Sequence, residues 1–295
     1  MTTTLAEYIA DLTDQFDQAE LFFGHGTDNP SDEAYYLVFA ALNLDFQRAA
    51  TFAGRELTEA EVTRLDSLAL RRIHERIPVA YLVGQAWFAG RPYYVNSDVL
   101  IPRSPIAELV QHRFRPMLKS APTRILDLCT GSGCIGIACA LAFPGAEVTL
   151  SDISPDALAL AQRNAERHQV SERLQITESD LFSQLTGTWD LVVSNPPYVS
   201  SEEMAELPAE YQHEPALGLV SAEEGLAIPV AILQQAAEHL SDEGWLVLEV
   251  GYNWQALAER FPQVPFLWLS FESGGEGVLA ISRAELRRWF VAGSN

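Results

Sequence analysis

An apolar run at 124–128, Arg-Ile-Leu-Asp-Leu, leads into Cys129-Thr130-Gly131-Ser132-Gly133-Cys134-Ile135-Gly136 and on into a further apolar stretch that ends at Ala142. A strand that ends in a G-x-G-x-x-G loop and reopens as a helix constrains the fold strongly. Glycine lets the backbone turn tightly and approach a ligand, and the helix N-terminus offers N–H donors. The same period continues downstream. Strands are expected over 146–150, 174–177, 191–194 and 245–250, with helices over 132–142, 155–168 and 226–240. Pro155 suits the first turn of its helix. Alternation of this kind implies a parallel sheet with helices on both faces. The last segments, 266–271 and 277–282, flank Glu-Ser-Gly-Gly-Glu at 272–276 and read as a hairpin, so the final strand is expected to be antiparallel. The expected class is α/β, with seven mostly parallel strands in a Rossmann-like sheet.

The chain before this unit has a different character. Residues 1–78 read as a small helical domain: Leu5, Ile9, Leu12 and Phe16 recur at helical spacing, Ser31 or Asp32 is expected to cap a helix through 34–38, and Thr58 with Glu61 forms a capping-box pattern. Within it, His25 stands between two glycines and reads as a polar turn residue. Residues 79–104 change to a strand period around Ala89-Gly90-Arg91, an aromatic β-hairpin connector with Trp87, Phe88, Tyr93 and Tyr94. The third unit is expected over 105–295. With 295 residues, 48% of them hydrophobic, the chain has enough apolar material for a large domain and a small one.

The glycine loop alone leaves two ligands open. A nicotinamide or flavin dinucleotide would set its pyrophosphate there, whereas S-adenosylmethionine would set its amino-acid end there. Asp127, at the strand end, suits an amino group, directly or through water. Cys129, Thr130, Gly131, Ser132 and Gly133 form the loop. Asp152, with Ile153 beside it, ends the second strand, where a carboxylate accepts from ribose hydroxyls of either ligand. Asp180 and Leu181 follow the third strand, where a carboxylate can accept from an adenine amino group and an apolar neighbour can cover the ring.

The fourth strand decides between the two. It ends in Asn195-Pro196-Pro197-Tyr198. A planar amide or amine nitrogen is a poor nucleophile because its lone pair is delocalised. A site that accepts hydrogen bonds from both N–H groups leaves density on nitrogen and aims it. Asn195 and the Pro196 carbonyl supply two acceptors, and the prolines fix φ and remove competing N–H donors. Tyr198 adds a flat wall. Pro-Pro alone is only a turn, and hydride transfer has no use for the tetrapeptide. Set beside the glycine loop it implies methyl transfer from S-adenosylmethionine by orientation and electrostatics.

Charge narrows the partners. The net charge is −21 and Lys119 is the single lysine. With no basic stripe, autonomous tight binding to nucleic acid is not expected. An acidic chain attracts a basic partner. Cys129, Cys134 and Cys139 are spaced by five, which does not place them on one helical face, so they read as small buried residues in a reducing compartment and not as a metal site. The N-terminus lacks a signal-peptide pattern, and no stretch approaches the length of a membrane span. A cytoplasmic protein is expected, as a monomer or weak dimer.

Motifs along nearly the whole chain resemble the protein glutamine methyltransferases, which modify a side-chain amide. They are Arg-Ile-Pro-Val-Ala-Tyr-Leu at 76–82, Val-Leu-Ile-Pro-Arg at 99–103, the loop at 127–134, Asn195-Pro196-Pro197-Tyr198, and Tyr-Gln-His-Glu-Pro-Ala-Leu at 211–217. One branch of that family acts on peptide-chain release factors and another on the third protein of the large ribosomal subunit. Ser104, Cys129, Leu181, the segment 24–29, the segment 264–268 and the Gly-Gly-Glu-Gly at 274–277 resemble the ribosomal branch. The resemblance implies that Asn195 and Pro196 hold a glutamine amide and that Tyr198 walls its side chain; Arg103 and Glu249 either line the entrance or pair structurally, His213 either touches substrate or caps a helix, and the position of the helical domain suits it to recognise the basic ribosomal protein. The alternatives are the release-factor reaction and amino-methylation of nucleic acid, because the tetrapeptide also serves aromatic amines.

Overall fold

The structure, a computed structural model, describes residues 3–272 and 274–291. Three helices build the N-terminal part: α1 (Leu5–Gln18), α2 (Pro30–Ala41) and α3 (Glu59–Glu75). Thr4 and Glu7 close a capping box on α1, and Thr58 and Glu61 close one on α3. α2 is capped by Asn29, whose side chain accepts from the Asp32 N–H, and neither Ser31 nor Asp32 takes that place. Pro30 explains the shift: it suits the first helical position, which makes the residue before it the cap. Leu5, Tyr8, Leu12 and Phe16 bury one face of α1 against Leu37, Phe39 and Leu65. Each such side chain contributes about 1.5–3 kcal/mol of transfer free energy, and Phe16→Ala would cost about 3–5 kcal/mol.

A short helix α4 (Val79–Val83) leads into the hairpin of β1 (Gln85–Phe88) and β2 (Arg91–Tyr94). Its aromatic residues face two ways. Phe88 and Tyr93 join the core under the large sheet, while Trp87 packs edge-on against Phe46 of the N-terminal part. The hairpin thus touches both parts. Helix α5 (Ile106–Gln111) follows.

The large sheet contains β3 (Arg124–Leu128), β4 (Glu147–Asp152), β5 (Leu174–Glu178), β6 (Trp189–Ser194), β7 (Leu240–Glu249), β8 (Leu267–Trp268) and β9 (Val278–Ser282), in the order β5-β4-β3-β6-β7-β9-β8. The first five pair in parallel, and β9 runs antiparallel to both β7 and β8. Helices α6 (Cys134–Ala142) and α7 (Pro155–Arg167) connect β3 to β4 and β4 to β5. Strand order reverses between β3 and β6, and a cleft opens at their C-terminal ends, where open α/β sheets take ligands.

Two boundaries differ from the sequence expectation. The helix expected over 226–240 ends at Gln235 with a 3₁₀ turn at Ala236–Glu238, and β7 starts at Leu240, well before 245. Leu240 pairs with Trp189 and Trp245 with Leu191, so residues 241–244 bulge out opposite Asp190. The bulge hides the strand's start behind Ser-Asp-Glu-Gly, a turn-like sequence. The strand expected over 266–271 narrows to Leu267–Trp268, and Ser273 of the expected turn lies outside the described residues.

Candidate functional site

β3 and β6 are neighbours in register, with Asp127 opposite Val193 and Leu128 opposite Ser194. The Ser194 hydroxyl donates to the Leu128 carbonyl at 2.7 Å. The glycine loop and the Asn195 loop therefore leave the sheet side by side.

The glycine loop is held from beneath. Asp127 is fully buried, and its Oδ2 accepts from the Thr130 hydroxyl at 2.5 Å and from the Gly136 N–H at 2.7 Å. A Cβ at Gly136 would strike Leu150 and Asp127, so only glycine lets α6 start this close to β3. Asp127 Oδ1 is buried without a hydrogen-bond partner among the described residues, and burial pushes the carboxyl up to about 7. The Gly131 N–H donates to Asp152 Oδ2 at 2.9 Å. The Ser132 carbonyl accepts from Asn164 of α7 at 2.8 Å, and Asn164 also bonds the Tyr94 backbone, so the hairpin braces the loop.

A cavity of about 200 Å³ opens above this loop. Cys129, Thr130, Gly131, Ser132, Asp152, Ile153, Asp180, Leu181 and Asn195 line it, as does Pro197. Asp127 and Gly133 do not. Asp127 sits behind the wall, and Gly133, at φ 79°, turns the chain into α6 against Ala161. Cys129 and Leu181 both adopt left-handed backbone conformations, at φ 58° and 47°. Sites that carry such backbone strain cluster around ligands.

A second cavity, of about 830 Å³, adjoins the first. Asn195, Pro196 and Tyr198 line it, together with Tyr211, Glu249 and the exposed ring of Tyr252. Phe22 and Gly24 reach it from the N-terminal part. Leu100, Arg103, Asn195 and Gly218 line both cavities. The Asn195 side chain and the Pro196 carbonyl have no hydrogen-bond partner among the described residues, whereas the Tyr198 carbonyl accepts from Asn253 at 2.5 Å.

Arg103, on the wall of the second cavity, is ion-paired. Arg103 grips Glu214 through both terminal nitrogens at 2.7 Å each, and its guanidinium lies 5.3 Å from the Tyr211 ring centroid. Burial lowers the pKa of His25, which packs on Tyr211 and faces Glu214 at 3.6 Å; it lies in a bend, as the sequence suggested, but is buried there. His213 donates from Nε2 to the Glu75 carbonyl at 2.7 Å, capping the end of α3. Sequence reading missed Asn164, Glu214 and Asn253 as supports. Asn164 looked like any polar residue on a helix, and nothing local marks a side chain whose partners lie 32 and 70 residues away.

The first cavity fits S-adenosylmethionine, the donor that this fold implies. Asp152 and Asp180 present carboxylates on its wall, Leu181 and Ile153 present apolar surface, and the Asp127 oxygen waits unpaired behind the loop.

Comparison with known proteins gives the family. Residues 16–84 match the PrmC N-terminal domain and residues 111–210 the Methyltransferase small domain. A ribosomal protein uL3 glutamine methyltransferase of Francisella tularensis is 41% identical over 97% of this chain and 92% of its own length. Another, of Neisseria gonorrhoeae, is 43% identical over 96% of each. Among solved structures, the hMettl16 catalytic domain bound to a MAT2A 3′UTR hairpin superposes with a TM-score of 0.54 at 15% identity, over 84% of this chain and 91% of that one, a likeness of fold alone. At this level of identity along its whole length, the chain belongs to the family of ribosomal protein uL3 glutamine methyltransferases.

Proposed function

We propose that this protein transfers a methyl group from S-adenosylmethionine to the side-chain amide nitrogen of a glutamine in ribosomal protein uL3. The products are N(5)-methylglutamine and S-adenosylhomocysteine, with one proton released. The observation that carries the reading is that Asn195 lines both cavities, one fitted to a nucleoside-like donor and one wide enough for a protein segment.

Bound in the smaller cavity, the donor supplies a sulfonium methyl. Asp152 accepts from the ribose hydroxyls, Asp180 from the adenine amino group, and Asp127 answers the donor's ammonium through the loop. On the other side, Asn195 Oδ1 and the Pro196 carbonyl accept from the two N–H groups of the glutamine amide. That holds the nitrogen's lone pair toward the smaller cavity and spreads the positive charge that develops on nitrogen. Tyr198 presents a flat wall to the side chain. The amide nitrogen loses its proton to solvent after transfer, so no strong base is required.

The second cavity draws on Phe22 and Gly24, which supports a role for the helical unit 1–78 in meeting the substrate protein, with 79–104 as connector and 105–295 as the transfer unit. One chain supplies both cavities, so a monomer suffices. The net charge of −21 suits a basic ribosomal protein, and no described helix is long and apolar enough to cross a membrane. The reading places the reaction in the cytoplasm.

The test is intact mass spectrometry of uL3, a release factor and a DNA duplex, each incubated with the protein and S-adenosylmethionine. One added methyl on uL3 alone, mapped to a glutamine, is the expected result. A methyl on the release factor alone would move the substrate, and methylated DNA would overturn the protein-amide reading.

A further inference from the structure

Tyr198 is held at more points than a wall needs. Its hydroxyl donates to Glu249 Oε1 at 2.9 Å. Glu249 Oε2 accepts from the Ser104 hydroxyl at 2.5 Å, and Ser104 in turn accepts from the Ile106 N–H at 3.2 Å. The Tyr198 carbonyl is tied to Asn253. Its ring lies so close to Gly251 that a Cβ there would run into it, and a Cβ at Gly225 would run into its carbonyl.

Glu249 is an unusual anchor. It is the last residue of β7, paired with Val278 of β9, so its backbone is held in the large sheet. It is buried, and it makes no ion pair among the described residues, because the neighbouring Arg103 is spent on Glu214. An unpaired buried carboxylate is expensive to keep. What it provides is direction. Burial raises its pKa; in its ionised form it only accepts, so the Tyr198 and Ser104 hydroxyls that meet it both donate. Tyr198 then points its O–H at β7 while the residue lines the larger cavity.

We propose that Glu249 is a positioning residue for methyl transfer: it orients the Tyr198 phenol so that its oxygen accepts a hydrogen bond from a backbone N–H of the acceptor segment, and Ser104 holds Glu249 in that pose. The inference rests on the glutamine-amide reading and deepens it. Asn195 and Pro196 hold the reacting amide, while Tyr198 holds the chain beside it. The preferred acceptor is therefore a segment that offers a free backbone N–H next to its glutamine, not a strand or helix whose N–H groups are already paired.

The experiment compares wild type with Tyr198→Phe, Glu249→Ala, Glu249→Gln and the Tyr198→Phe/Glu249→Ala double variant. It measures kcat and KM for the acceptor protein and Kd for S-adenosylmethionine. Tyr198→Phe and Glu249→Ala are each expected to lower kcat/KM for the acceptor roughly tenfold, the scale of one orienting hydrogen bond, with cofactor Kd within about twofold. The double variant is expected to be no worse than the poorer single one, because both changes remove one device. Glu249→Gln, which keeps an acceptor for the Tyr198 hydroxyl, is expected to recover most of the loss. Additive losses, or a Glu249→Gln as poor as Glu249→Ala, would overturn the proposal.

Hydrogen exchange at the Tyr198 and Val199 amides supplies a readout that needs no acceptor and separates the two failures. If wild type methylates no protein, the glutamine reading fails, and the tie is judged here alone. Faster exchange in Tyr198→Phe and Glu249→Ala but not in Glu249→Gln supports it, and equal exchange in all four proteins overturns it. Should Glu249→Ala not fold, Tyr198→Phe against Glu249→Gln gives the same comparison.

Discussion

Arg72 and Glu210 are 138 residues apart in the chain and 3.0 Å apart in the protein interior. Arg72 also meets Glu33 at 3.2 Å and the Phe22 carbonyl at 2.8 Å, and all three charged side chains are buried. Glu210 accepts from the Phe22 N–H as well. The helical part is therefore fastened to the segment behind Asn195, and Phe22 is fastened at the mouth of the larger cavity.

Arg72→Ala leaves Glu33 buried without its cation and Glu210 with only the more distant Arg76, at 3.9 Å. The expected loss is about 3–5 kcal/mol of stability. Urea unfolding measures it. In whatever folded fraction remains, KM for the acceptor protein rises while cofactor Kd holds, because the smaller cavity does not touch this cluster. A variant as stable as wild type would show that the cluster contributes nothing net.

On the proposed mechanism, Asn195→Ala removes an acceptor from the reacting amide. The rate is expected to fall at least ~100-fold, the scale for an orienting polar contact at a reacting centre. Isothermal titration should find S-adenosylmethionine binding largely intact. Unchanged turnover would remove Asn195 from the mechanism.

Asp152→Ala acts on the other cavity. Loss of the proposed charged hydrogen bonds to ribose, together with the tie to the Gly131 N–H, is expected to raise cofactor Kd about 10–100-fold. Asp152→Asn, which keeps one acceptor, should recover part of this. An unaltered dissociation constant would contradict the ribose contact.

Glu214 gives a pH signature. Burial raises its pKa, but Arg103 and the His25 contact outweigh burial and hold the carboxyl at about 2, against an ordinary 4.5. A lowered carboxyl contributes stability that is fully present above the unfolded value and is lost as pH falls toward the folded one. The contribution is on the order of 3 kcal/mol. Wild type should therefore exceed Glu214→Gln in unfolding free energy above about pH 5, and the gap should close between 4.5 and 2. A gap that is flat with pH would mean that Glu214 does not act as a charge.

Local chemistry made much of this legible. The glycine loop, the strand ends at Asp127 and Asp152, and the Asn195 tetrapeptide are each a few contiguous residues whose types suit the roles proposed for them. Apolar period placed most of the strands. It failed at Leu240 because the bulge at 241–244 carries turn residues inside a strand. It failed at Asn29 because two candidate caps followed a proline that belonged inside the helix. The supports were harder. Glu249 meets Tyr198 across 51 residues and Ser104 across 145. Glu214 meets Arg103 across 111. No window on a single sequence reports such pairs, because either member is an ordinary polar residue until the sheet brings the other to it.

The pairing of β3 with β6 has a consequence for how such a chain diversifies. Adjacent strands lie about 4.8 Å apart, and a slip of one residue would shift the loops by about 3.3 Å and turn their side chains over. The Ser194 hydroxyl on the Leu128 carbonyl pins that register in the middle of the sheet. On the proposed reaction, the length of the methyl's jump is then a property of the backbone, beyond the reach of surface substitutions. Helices and loops around the mouth are free to be redrawn for a different client protein, while the jump itself stays the same.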